Sequence, residues 1–219
     1  MTRAKSPILN SMISRRWLLG VAGALLCLPV GGALQADNDD NADHVRWDVI
    51  SVDIPITTVS PGGVAFASAR NSPSTLKIKL TGSGTFVAPA KGGSSSAVTG
   101  GGTWETFNGG VSTGSGTYQV TGLASWEFAN FQAPGLIDLI GDANERANGH
   151  AVLRIQYSDG SRGTLGIGCH GPGAPAGIVE GVIASKGYVT YWDAEPPTPT
   201  DNKNRTVFHV MGHDDDDEN

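Results

Sequence analysis

The stretch YQVTGLASWEF, residues 118–128, decides the fold class. Tyr118, Val120, Gly122, Ala124, Trp126 and Phe128 share one parity along it, and Gln119, Thr121, Ser125 and Glu127 share the other. Successive side chains of a strand point to opposite faces, so the first set is expected to line an interior and the second to meet solvent. Gly122 marks a bend or a close crossing in the middle of that strand. The inward rings Tyr118, Trp126 and Phe128 are therefore the candidate ligand-binding residues, if they leave a cavity of ~300 Å³ or more between them. The competing expectation is that large rings fill the core of a glycine-rich sheet.

Outward from this strand, the same period recurs. Val45, Trp47 and Val49 alternate with polar residues, after which the apolar phase moves to Ile50, Val52 and Ile54. A one-residue slip of this kind predicts a β-bulge. Leu76, Ile78 and Leu80 alternate with Lys77 and Lys79, as in a half-buried antiparallel strand, which residues 84–87 continue past a bend. Residues 90–102 read as a mobile Gly/Ser-rich loop, and residues 134–148 as an irregular polar stretch with one helical turn around 136–140. Residues 151–157, 164–169, 178–192 and 206–210 complete a set of about eight or nine strands. Pro196, Pro197 and Pro199 force an extended excursion before the last of them. Many strands, abundant turn glycine and no long helical period predict one all-β domain, an antiparallel β-barrel, with a two-sheet β-sandwich as the alternative. Long strands with internal glycines favour the barrel, because they suit a sheet that curls and closes.

The first 36 residues carry a different pattern. Arg3, Lys5, Arg15 and Arg16 are their only charged residues, an apolar run from Trp17 to Val30 follows, and Gly31, Gly32 and Ala33 close it. A basic head, a short apolar centre and a small-residue exit predict a signal peptide over residues 1–36. The run is shorter than the ~20 residues a spanning helix needs. The expectation is an exported protein, periplasmic or extracellular, with no membrane span in the mature chain. Four of the 15 Lys and Arg lie in this leader, so 11 face all 21 Asp and Glu from Asp37 onward, a formal charge of −10. The acids concentrate at the ends, so residues 37–43 read as an acidic disordered segment and 211–219 as an acidic tail around a β domain at 44–210. A net negative chain without a basic stretch argues against a nucleic-acid partner. Removal of the leader leaves only Cys169, which excludes an intrachain disulfide.

Ser14-Arg15-Arg16-Trp17-Leu18-Leu19 resembles the twin-arginine signal, whose route carries proteins folded before export. Leu stands where that signal often has Phe, and Gly20 where it often has Lys. Gly101-Gly102-Thr103-Trp104-Glu105 and Tyr157-Ser158-Asp159-Gly160-Ser161-Arg162-Gly163 resemble a group of uncharacterised exported bacterial β proteins. This resemblance spans most of the mature body and brings no activity, ligand or residue role with it.

His150 and Cys169 are the candidate catalytic residues. Asp159-Gly160 between alternating runs is a two-residue hairpin signal, which would set Tyr157 opposite Arg162, Ile155 opposite Thr164 and His150 opposite Cys169. An imidazole beside a thiol can lower its pKa and activate it. The competing expectation is an inert strand cysteine, since no third orienting residue or oxyanion loop is identifiable. His209, Met211, His213 and Asp214 to Asp217 mix hard and soft ligand types and select no single ion, so neither a metal nor a cofactor is expected. Asp193 and Glu195 share a strand face, an ordinary arrangement without sugar-site context. The function expected is an exported, non-enzymatic β-barrel domain that binds a small apolar ligand. The alternatives are an enzyme using a barrel cavity with the His150/Cys169 pair, and a structural or surface-interaction module.

Overall fold

A computed structural model of the chain describes residues 42–70 and 75–211. In chain order the strands are β1 (Asp43–Val52), β2 (Thr58–Pro61), β3 (Ala65–Ser68), β4 (Leu76–Leu80), β5 (Ser83–Ala88), β6 (Gly101–Asn108) and β7 (Val111–Phe131). They continue as β8 (Ile137–Asp138), β9 (Arg146–Tyr157), β10 (Arg162–Cys169), β11 (Gly181–Lys186), β12 (Val189–Tyr191), β13 (Asp193–Ala194) and β14 (Arg205–Met211). Six of them close on themselves: β1 pairs β14, β14 pairs β9, β9 pairs β7, β7 pairs β6, β6 pairs β5, and β5 returns to β1, all antiparallel. The protein is an antiparallel β-barrel, and closure removes the exposed edges that an open sheet presents. Two wings grow from its wall. β10, β11 and β12 continue from β9, and β4, β3 and β13 continue from β6. Among the described residues, no helix is long and apolar enough to cross a membrane. Residues 1–36, expected to be a signal peptide, and residues 37–41, 71–74 and 212–219 lie outside the described residues.

The closing seam is made by the stretch that composition marks as a mobile loop. Strands β5 and β6 share only the Ser83/Gly101 pair, and residues 95–100 complete the wall between β5 and β7. Val87 N–H donates to the Ala97 carbonyl at 2.9 Å, Thr99 N–H to Thr85 at 2.8 Å, and Leu123 N–H to Ser95 at 2.8 Å. Small residues serve here because chains cross closely: a Cβ on Gly84 would lie 2.3 Å from the Thr99 carbonyl oxygen.

The barrel interior is filled. Val45 and Trp47 from β1, Phe86 from β5, Leu123 from β7, Leu153 from β9 and Phe208 from β14 are buried in one continuous core. Trp126 packs edge-to-face on Phe86 and Phe208 at centroid distances of 5.4 and 4.7 Å. Tyr118 is buried with its hydroxyl donating to the Thr81 carbonyl at 2.8 Å. The period-two stripe does not run through unbroken, however. The β7/β9 register shifts at Val120/Gly122, Leu123/Ser125 and Phe128/Asn130, so Leu123 rather than Ala124 enters the core. Phe128 ends 42% exposed, resting edge-on against Phe131 at 5.0 Å. Bulges add twist, and a strand of 21 residues needs that twist to coil from β6 to β9 around a narrow barrel.

The predicted bulge in β1 is absent. Its pairing with β14 runs without a shift from His44/Met211 to Ile50/Arg205. The apolar phase changes because the covered face changes: Val45, Trp47 and Val49 fill the barrel, whereas Ile50 and Val52 pack outside it with Val59, Val207, Leu136 and Ile140. The turn of helix expected around 136–140 is strand β8, paired parallel to β2. Ile137 N–H and Leu139 N–H donate to the carbonyls of Thr57 and Val59, holding the backbone extended. A short 3-10 turn, Ala143–Glu145, follows and is capped by the Asp142 side chain. Residues 178–192 form a hairpin rather than one strand, since Gly187 at φ +58° permits the turn between β11 and β12.

Candidate functional site

The hairpin between β9 and β10 shows why His150 and Cys169 do not meet. Gly160 N–H donates to the Tyr157 carbonyl and Tyr157 N–H to the Ser161 carbonyl, closing a three-residue loop with Gly160 at φ +87°. A type I turn followed by a left-handed glycine takes one residue more than the two-residue turn expected. Every pair moves by one: Arg162 faces Gln156, His150 faces Gly168, and Cys169 faces Gly149. A one-residue slip sends side chains to the other face of the sheet. Cys169 therefore points into the core, 1% exposed, where its thiol donates to the Thr206 carbonyl at 3.3 Å and accepts from Gln132 Nε2 at 3.2 Å. Burial, with Glu180 adding to it, pushes the thiol well above its ordinary pKa, so it stays protonated and unreactive.

His150 stands on the outer face, and a groove of about 580 Å³ opens beside it. The floor is Gly166 and Gly168 of β10. Their lack of side chains is structural: a Cβ on Gly168 would lie 2.0 Å from the Val179 carbonyl oxygen, and one on Gly166 2.6 Å from Ile183 Cγ1. The segment before β11 thus crosses directly over β10, and Ile178, Val179, Val182, Ile183 and Trp192 give the groove apolar walls. Trp192 remains 52% exposed at the rim. Burial lowers the His150 pKa against a smaller opposing pull from Glu127, its cross-strand neighbour, so the imidazole is neutral at neutral pH. A neutral imidazole offers one donor and one acceptor. The arrangement is a largely apolar concavity with two polar side chains, His150 and Asp193, in its lining, within the ~300–1,000 Å³ that small-molecule sites occupy.

Compared with models of known protein families, with curated proteins and with solved structures, the chain matches none. Its chemistry is therefore argued from its own groups.

The other histidine singled out by sequence, His209, is 1% exposed under the β8 segment. Asp138 organises it: one carboxylate oxygen accepts from Ile140 N–H at 2.8 Å and Gly141 N–H at 3.1 Å, and the other lies 3.0 Å from His209 Nε2 and 3.8 Å from Arg146 Nε. Burial alone would raise the Asp138 carboxyl, but these partners outweigh it and hold the group below its ordinary value. Gly141 sits flat on the imidazole, where a Cβ would come within 2.8 Å of Cδ2. This set fastens the covering segment to the barrel wall. Among the described residues, no group of three or more His, Cys, Asp or Glu side chains is placed to hold a metal ion, and His213 and Asp214 to Asp217 lie outside them. Glu195 is paired with Lys77, and Asp193 sits in the short β13/β3 ladder. Sequence reasoning missed Asp138, Arg146, Glu180 and Arg205 as interacting groups, because they lie far apart in the chain and follow no local spacing.

Proposed function

We propose that this chain is an exported, non-enzymatic β-barrel domain that binds a small apolar molecule carrying one hydrogen-bonding group. The binding site in this reading is the groove beside His150, not the interior of the barrel. The observation that carries it is the glycine-floored, apolar concavity between β10 and the segment preceding β11. The side-chain-lined core, and the placement of Cys169 in it while His150 faces outward, support the non-enzymatic reading over an enzyme using the His150/Cys169 pair. Export rests on the basic head, short apolar run and small-residue exit of residues 1–36.

Titration of the purified protein with N-phenyl-1-naphthylamine, followed by probe fluorescence, tests the groove. Saturable binding is expected, weakened at least about tenfold in Ile183→Trp, which fills the groove from its wall. Unchanged binding in that variant overturns the site. For the route, exchanging both Arg15 and Arg16 for lysine should block export of the folded protein, and N-terminal sequencing of the exported form should begin near Asp37. Equally efficient export of the double variant sinks the twin-arginine reading.

One observation favours the surface-interaction reading as a second: Ile54, Ile56, Ile137 and Leu139 are exposed along the edge where β8 lies on β2. If the groove does not bind the probe, loss of self-association or protein capture on changing Ile137 and Leu139 to serine would support it.

A further inference from the structure

A second concavity, independent of the groove above, lies outside β1 and β14. It holds about 270 Å³ and is lined by aliphatic side chains, among them Ile50, Val52, Val59 and Leu136, and by Arg205, His170 and Glu180. We infer that this pocket binds a short-chain aliphatic carboxylate, its anionic head on Arg205 and its apolar body against Ile50, Val52 and Val59.

Three features lead to this class. The first is the state of Arg205. Its Nη2 donates to the Thr198 carbonyl at 3.1 Å, yet its Nε is buried without a hydrogen-bond partner, and among the described residues it forms no ion pair. A buried guanidinium donor calls for an acceptor, and an anionic oxygen meets both its hydrogen-bonding and its charge requirement. The second is the aliphatic share of the lining, Ile50, Val52, Ile56, Val59, Leu136 and Val207, which suits a short hydrocarbon body. The third is size. A pocket at the lower edge of the range for small-molecule sites takes a few-carbon acid and cannot enclose a long acyl chain.

Glu180 makes the site sensitive to pH. Its carboxyl accepts from His170 N–H at 2.5 Å and Thr206 N–H at 2.6 Å, so it is held in place rather than free to swing away. Burial raises its pKa to about 7, against opposing hydrogen bonds from His170 and Thr206 and the charge of Arg205. The titratable or charged groups around it are His170 on the loop after β10, Arg205 on β14 and the Cys169 thiol at the end of β10. When Glu180 is ionised it offsets the positive charge of Arg205 and repels an incoming carboxylate. When it is protonated, Arg205 is left to the ligand. A short fatty acid stays ionised well below pH 7, so its binding is linked to proton uptake by Glu180, and affinity falls as pH rises through about 7.

The test is calorimetric titration of the purified protein with hexanoate, with 1-hexanol as the uncharged match. Hexanoate is expected to bind at least about tenfold more tightly than hexanol, and about tenfold more tightly at pH 6 than at pH 8. Arg205→Gln should abolish the preference for the acid. Ile56→Trp, which blocks the pocket from an exposed position and spares the fold, should weaken hexanoate binding at least about tenfold, whereas Ile183→Trp in the other groove should not change it. Glu180→Gln should flatten the pH dependence. Equal affinity for hexanol, indifference to Ile56→Trp, or no heat up to about 10 mM hexanoate overturns the proposal.

Discussion

Two histidines stand on the outer wall of the same barrel and meet opposite fates. His150 on β9 looks across glycines into an open groove, while His209 on β14 is sealed under Gly141 and tied to Asp138. Both follow from how closely a covering segment approaches. Over β14 the cover brings its own carboxylate and lands on the imidazole, so the histidine becomes part of a fastening. Over β10 the cover crosses one residue away, at Gly168, and leaves the neighbouring surface concave. A histidine beside glycines in an open groove is thus available for a ligand, and one hydrogen-bonded to a buried carboxylate is already occupied.

The largest expected effect comes from breaking the sealed side. Asp138→Ala leaves Arg146 and His209 buried without their carboxylate, and should cost ~3–5 kcal/mol in urea unfolding. His150→Ala on the open side should stay within ~1 kcal/mol in the same measurement. If the two variants unfold alike, the contrast drawn between the sites is wrong. Gly168→Ala comes next: its Cβ must displace the Val179 carbonyl, costing ~1–3 kcal/mol and disturbing probe binding in the groove.

The acid dependence sharpens the same comparison. Asp138 is held below its ordinary pKa, so its stabilisation is present above the unfolded value of ~3.9 and lost as pH falls through the lowered one. Asp138→Asn should therefore flatten the loss of stability below about pH 4. Glu180 has the opposite sign. Raised to about 7, it stabilises the fold fully below its unfolded value, and stability declines as pH rises from ~4.3 toward 7. Glu180→Gln should remove that decline, and a decline that persists unchanged would assign it to another group. The smallest effect is expected at the imidazole. His150→Phe should weaken binding of 1-octanol in the groove by about 1 kcal/mol, the net worth of one hydrogen bond, and leave N-phenyl-1-naphthylamine nearly unaffected.

Residues 118–128 were enough to indicate a curled antiparallel sheet, and Tyr118, Val120 and Trp126 do face its interior. Leu123 and Phe128 exchange the roles their parity suggests, because bulges belong to the partner's demands as much as to the strand's own residues. The Ile50 phase slip carried real information, but its cause was a second covered face. Nothing local to β1 could distinguish that from a bulge, since both alter the period in the same way.

What the sequence by itself determined was the class of fold and the character of its segments. Alternating apolar residues and glycine at crossings are local patterns, and local sterics and burial read them directly. What only the tertiary structure decided was which groups meet. The extra residue in the turn at Gly160 separates His150 from Cys169. Distant β1, β14 and the segment before β11 bring Ile50, Arg205 and Glu180 around one small space. Side-chain chemistry depends on ångström-scale neighbours, and in an antiparallel barrel those neighbours are set by register and closure, which a single strand does not contain.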